Sequence, residues 1–224
     1  MSRTFLLLLV STLAGAACAK AAEPGPDPRA KAAFDRTKRT QETYALYSWN
    51  WVKGSGLETG PHWSAEFHRG TLHRVETPHV RLVADCAAGT GIMLQVDSGK
   101  TESNSAIAGA ACGINSNFPV RNLEWLGRKA TRFGPVDMLR VIDPADERIY
   151  AVNGAGVLVA SEIFPRSKAE GSCLQQEPLA VESTLPAEDM FSAQSLRKSF
   201  AAARFQSRPK AYVGDLWLGT RRCV

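Results

Sequence analysis

PHWSAEFHRGTLHRVETPHVRLV, residues 61–83, is the stretch on which the fold turns, and it holds all four histidines of the 224-residue chain. Alternation of apolar and polar residues on both sides of Gly70-Thr71 predicts two antiparallel strands joined by a two-residue turn. In that register His68 stands opposite His73 and His62 opposite His79 on one face of the ribbon. Ser64, Glu66, Val75 and Thr77 share that face, while Trp63, Ala65, Phe67 and Leu72 point the other way. The histidine face is read as solvated and the Trp/Phe face as core or cavity wall. Arg69, Arg74 and Glu76 fall on the apolar face and interrupt the division.

Upstream, YALYSWNWVK (44–53) reads as a strand with Tyr47, Trp49 and Trp51 in one row. Before it, Asp27 can cap and Pro28 can open a helix running to about Tyr44, with Ala30, Phe34, Thr37, Gln41 and Tyr44 on one stripe. Residues 20–27 form a Pro-rich leader. Arg3, the apolar run 5–10 and the small residues through Ala19 have the layout of a secretory signal over residues 1–19. The apolar run is shorter than the roughly 20 residues a membrane span needs. Cys18 adds the alternative of a lipidated N-terminus holding the protein to a membrane, although Gly15 stands where a lipoprotein signal wants a Leu-like residue. The location expected is periplasmic or secreted, with or without that anchor.

Downstream, HVRLVADC (79–86) and GIMLQV (91–96) continue the antiparallel pattern. Residues 97–117, rich in Ser, Asn, Gly and Ala, read as a loop, and Leu123 to Leu126 as a turn of helix. Three strands follow at Met138 to Ile142, Ile149 to Val152 and Val157 to Phe164, separated by Asp/Pro and Asn/Gly turns. A loop to Pro178, a short strand at Leu179 to Glu182, a second helix from Ala187 to about Phe205 and a closing strand at Ala211 to Leu218 complete the expectation. The fold class expected is therefore α+β: one curved antiparallel sheet, a half-barrel-like meander, with an N-terminal and a C-terminal helix packed on it. All of it belongs to one domain over residues 28–224.

Loss of the signal removes Arg3 alone among charged residues and takes the net charge from +5 to +4. The Lys and Arg residues are scattered, which argues against nucleic acid as a partner. The five cysteines of the sequence become Cys86, Cys112, Cys173 and Cys223, an even set suited to disulfides in an oxidising compartment. Of the three pairings open to them, Cys86–Cys112 and Cys173–Cys223 join neighbours along the chain. No nucleophile elbow, phosphate-binding glycine loop or metalloprotease motif is present, and no cofactor is implied. His68, His73 and Glu66 share a face and are the candidates for a metal, with a metal-assisted hydrolase as the corresponding activity. The six residues from His62 to His68 span about 20 Å of strand, too far for His62 or His79 to join that set.

Several of these segments also carry a family likeness. Phe67, Gly70, Leu72 and Arg74, then Pro78-His79-Val80-Arg81, then Tyr150 and Val152 with Gly156-Val157-Leu158-Val159 and Ser161-Glu162, resemble the strands of the periplasmic lipoprotein carrier family and its relatives LolB and the sensor RseB. The resemblance implies a curved sheet enclosing an apolar cavity for an acyl chain or a lipoprotein's lipid anchor, with no catalysis. Trp49, Trp51, Trp63, Phe67 and Leu72 are the lining it points to, and a lipid, a lipoprotein or another envelope protein is the partner. A purely structural envelope protein is the remaining alternative. The four cysteines, the loop from Asp97 and the C-terminal helix and strand have no counterpart in that pattern.

Overall fold

The central hairpin pairs as its alternation requires. In the computed structural model, which describes residues 26–37, 42–54, 59–112, 122–144, 146–166 and 173–207, β2 (Gly60–Arg69) runs antiparallel to β3 (Leu72–Glu76) with His68 opposite His73. β3 stops at Glu76, so His79 sits in a turn and His62 faces Asn50 of β1 (Tyr44–Lys53) in place of His79. The turn has a local cause. Pro78 has no N–H for a ladder, and the Thr77 hydroxyl accepts from the amides of His79 and Val80.

β4 (Val80–Asp85), β5 (Thr90–Gln95) and β6 (Thr101–Ser103) extend this meander outward. A second meander, β7 (Asn122–Thr131), β8 (Gly134–Ile142), β9 (Asp146–Asn153), β10 (Leu158–Pro165) and β11 (Cys173–Glu182), returns to the centre. There β11 pairs with β1, giving one open antiparallel sheet of 11 strands in the order β6-β5-β4-β3-β2-β1-β11-β10-β9-β8-β7. Arg132, in the β7–β8 turn, donates to the Pro178 carbonyl of β11 at 3.2 Å, and Phe133 packs on a cluster that includes Tyr44 and Leu46 of β1. β7 and β8 stand three to five places from β11 and β1 in the sheet order, so the sheet coils rather than lying flat.

Two expected loops are structured, and an expected turn of helix is a strand. The turn of helix expected at Leu123 to Leu126 is strand β7, where a bulge between Trp125 and Gly127 breaks the alternation that would have marked it. Residues 173–178, the end of the loop expected up to Pro178, are the first half of β11. Its polar sequence, CLQQEP, lies at the middle of the sheet with Gln175 and Glu177 buried. The Ser/Gly-rich stretch from Asp97 contains β6 and the helix α2 (Ser105–Ala111), opened by the Asn104 side chain accepting from the Ile107 amide at 3.0 Å. Close packing holds α2 down: a Cβ on Gly91 of β5 would stand 2.7 Å from the Ala108 amide nitrogen.

Helix α1 (Pro28–Thr37) begins as its sequence predicts, with Asp27 accepting from the Arg29 amide at 2.8 Å and Pro28 in the first position. Hydrogen bonds from Arg29 lower the pKa of the partly exposed Asp27 carboxyl to about 2. Its far end rests on Gly156, where φ is +88° and a Cβ would lie 2.5 Å from the Arg36 carbonyl. Arg36 then closes on Asp137, which Arg128 also binds, at 2.7 Å. Burial alone would raise the Asp137 pKa, and the two arginines outweigh it.

The expected C-terminal helix does not form. Residues 189–205 contain three short 3-10 turns, Asp189–Phe191, Gln194–Arg197 and Ala203–Phe205, joined by extended chain. The backbone groups a helix would use are bound by side chains of the sheet. Arg74, fully buried, donates to the carbonyls of Met190, Ser195 and Lys198, to the Ser195 hydroxyl and to Glu76. Glu76, also fully buried, accepts from the amides of Phe200 and Ala201 and from the Ser199 hydroxyl. Arg69 and Arg81 donate to the carbonyls of Glu188 and Leu196. Ser195 bonds back to the Met190 and Ser192 carbonyls, the competition by which serine disfavours helix. The segment is a strap laid across β1 to β5.

Of the two expected disulfides, one is complete among the described residues: Cys86–Cys112, which joins the β4–β5 turn to the end of α2. Cys173 is itself disulfide-bonded, and Cys223, its expected partner, lies outside the described residues. The signal over 1–19, the leader to residue 25 and the strand expected at 211–218 also lie outside them.

Candidate functional site

Cross-strand pairs share a face of the sheet, so the register assigns each side chain. Tyr150, Ser161, Gln176, Asn50 and His62 form one rung across β9, β10, β11, β1 and β2. His68, His73 and Ala84 form another across β2, β3 and β4. Tyr150 packs in one cluster with Ala33 and Phe34 of α1, and Ala84 in another with Ile107 and Ala108 of α2. Both helices and the whole histidine row therefore lie on the same side, the helix face. The strap covers the opposite one.

This overturns the reading of the histidine face as solvated: His62, His68 and His73 are each 6–7% exposed. Alternation identified the two faces of the hairpin but not the fact that both are covered. His79, in its turn, remains partly exposed beside Asp97 at 3.2 Å.

The strip between α1 and α2 is polar and connected. Ser161 donates to the Gln176 carbonyl oxygen at 3.1 Å, and the Gln176 amide nitrogen donates to Glu66 at 2.6 Å and toward Ser48 at 3.4 Å. The second Glu66 oxygen stands 3.7 Å from His73 Nε2. His73 meets His68 edge to face at 5.6 Å, and Tyr44 stacks on His68 at 5.1 Å. His68 Nδ1 lies 2.7 Å from the Glu42 carbonyl, which only accepts, so that nitrogen carries the proton. Burial holds the His68 pKa below the usual 6.5, against the raising effect of that hydrogen bond. Burial, reinforced by Glu66, pushes the Tyr44 phenol well above its ordinary range.

Three buried atoms on this strip have no hydrogen-bond partner among the described residues: Asn50 Oδ1, Ser64 Oγ and His73 Nε2. Leaving such an atom unpaired costs about 1–3 kcal/mol. One rung beyond Asn50 and Gln176, the pairs of Val52 with Leu174 and Leu174 with Ile163 make an apolar rung that is only half-buried. A closed polar strip thus adjoins a partly open apolar edge on one face.

Sequence reasoning brought His68, His73 and Glu66 together, and the structure does the same. Among the described residues, however, no three His, Cys, Asp or Glu side chains are placed to hold a metal ion. The expected lining, Trp49, Trp51, Trp63, Phe67 and Leu72, shares the strap face by register. Phe67, fully buried, sits in a cluster with Met190, Phe200 and Ala201 of the strap, with Trp63 at its edge. Trp49 is buried, whereas Trp51, Trp63 and Leu72 are partly exposed. The residues that sequence reasoning missed are Ser48, Asn50, Ser64, Ser161 and Gln176. Their signal was a run of small polar side chains alternating with aromatics in strands central enough to be covered on both sides.

No family model and no curated protein matches this chain. Solved structures do. An uncharacterised conserved protein from Thermus thermophilus is similar over 76% of this chain and 94% of its own, with TM-score 0.50 at 9% identity. A LolA superfamily protein from Nitrosomonas europaea follows over 75% and 99%, with TM-score 0.41 at 7% identity. A DUF1329 family protein from Desulfovibrio piger matches over 75% and 98%, with TM-score 0.37 at 9% identity. At 9% identity the likeness to the Thermus thermophilus protein is one of fold alone.

Proposed function

We propose that this is an exported, non-catalytic envelope protein that binds a lipid or the acyl chain of a lipoprotein. The observation that carries the reading is the pairing, on one face, of a buried polar strip with a half-open apolar rung at Val52, Leu174 and Ile163. An amphipathic ligand matches that division: each buried methylene contributes about 0.8 kcal/mol on the apolar side, and polar groups pair with the strip. The signal-like layout of residues 1–19 supports a location in the periplasm or outside the cell, where lipidated partners are met. Cys18, if lipidated, adds membrane attachment.

A second site for the apolar part is the strap face, favoured by the partial exposure of Trp51 and Trp63. Native mass spectrometry of protein taken from a periplasmic extract tests the reading, with a co-purifying lipid as the expected result. A bound zinc ion in its place would revive the hydrolase built on His68, His73 and Glu66. Recovery of bare protein that also fails to take up diacyl lipid from vesicles would leave only a structural role. Val52→Asp with Leu174→Asp should abolish uptake, whereas loss on Trp51→Ala with Trp63→Ala alone would move the site to the strap face.

A further inference from the structure

We propose that the strip from Asn50 and Ser64 to His73 is a subsite for an uncharged, polyhydroxylated group, a short saccharide carried on a lipid or free in solution. The inference rests on the amphipathic-ligand reading above and names the polar half of that ligand.

Three observations carry it. Asn50, Ser64 and His73 are at least nine-tenths buried, and Asn50 Oδ1, Ser64 Oγ and His73 Nε2 lack partners among the described residues. By register they adjoin a network whose members are already fixed: Gln176 is held by Ser161 and holds Glu66, and His68 is locked by the Glu42 carbonyl. The unpaired set mixes an acceptor, a hydroxyl and an imidazole nitrogen, with a carboxylate oxygen of Glu66 beside it at 3.7 Å. Hydroxyl groups both donate and accept, so a row of them can pair with every member. A phosphate offers almost only acceptors and would meet the Glu66 carboxylate.

Charge points the same way. No Lys or Arg stands among Tyr44, Leu46, Ser48, Asn50, His62, Ser64, Glu66, His68, His73 and Gln176, so an anionic head group would be buried without a counter-charge. The four residues from Ser64 to His68 span about 13 Å of strand, the reach of a short saccharide rather than of a single hydroxyl. The apolar rung at Val52, Leu174 and Ile163 begins beside the Asn50 end, which sets the direction in which hydrocarbon would leave the strip.

The test compares four probes on the full mature protein: digalactosyl diacylglycerol, diacylglycerol with the same chains, phosphatidylglycerol, and the free disaccharide melibiose. Binding is followed by tryptophan fluorescence. The expected result is a preference for the glycolipid over diacylglycerol and phosphatidylglycerol of about tenfold or more, equivalent to one or two hydrogen bonds, and its loss in Asn50→Leu and in Ser64→Ala. Ser64→Ala removes a single oxygen, and thermal unfolding of both variants checks that they fold. Melibiose bound with the same sensitivity, and diacylglycerol not bound, would keep the subsite and remove the lipid reading. Equal binding of glycolipid and diacylglycerol would overturn the subsite, its atoms then being paired by water only, and leave the lipid reading standing. No binding of any probe overturns both.

Discussion

Arg74 and Glu76 hold the strap to the sheet with an ion pair at 2.6 Å, both side chains fully buried. Burial pushes the Arg74 pKa down, and Glu76 pulls it back. Removing one partner strands the other charge, an effect worth about 3–5 kcal/mol. Glu76→Gln should therefore lower stability by about that amount in urea unfolding, and limited proteolysis should cut within residues 189–205. A loss under about 1 kcal/mol would mean that the pair contributes little beyond a surface ion pair. His68 supplies a pH dependence. Its folded pKa is lowered from 6.5, chiefly by burial, so the unfolded chain takes up the proton first as pH falls. The stabilisation is complete above the unfolded value and is lost as pH drops through the folded one. Urea unfolding at pH 7.5 and pH 5.5 should show lower stability at the acid value, and His68→Asn should flatten the difference. Unchanged slope in that variant would assign the acid sensitivity elsewhere.

At the scale of elements, composition misled where tertiary bonds replaced local ones. The strap has helix-compatible apolar spacing at Met190, Leu196 and Phe200, yet its carbonyls and amides are taken by Arg69, Arg74, Arg81 and Glu76. The interruption of the apolar face by Arg69, Arg74 and Glu76 was visible in the sequence, and its meaning was not, because the partner lies over 110 residues away. Helix α2 is the reverse case, a short element in a loop-like sequence. It is held by the Asn104 cap, close packing on Gly91 and the Cys86–Cys112 bridge. Replacing the bridge with Cys86→Ser and Cys112→Ser should destabilise the protein by about 3 kcal/mol on the chain-entropy model, with hydrogen exchange accelerating in residues 105–111 before β4 and β5. Uniform acceleration across the sheet would show that α2 is not a separately released unit.

For the molecule as a whole, the arrangement of two meanders meeting at β1 and β11 covers the middle strands on both faces. The hairpin, the N-terminal cap, the three strands after Val136 and the Cys86–Cys112 pairing were legible because each depends on residues within a few positions, or on neighbours along the chain. The candidate site was only half legible. Pairing of His68 with His73 and the nearness of Glu66 follow from period-two alternation about one turn. The rung that adds Asn50, Gln176 and Ser161 depends on β11 returning to β1 across more than 120 residues. Alternation gives two faces to a strand and no information about what lies over either. That the histidines are buried, and that Phe67 lies under the strap, was decided by where helices α1 and α2 and residues 189–205 came to rest, which is a matter of long-range packing and buried charge.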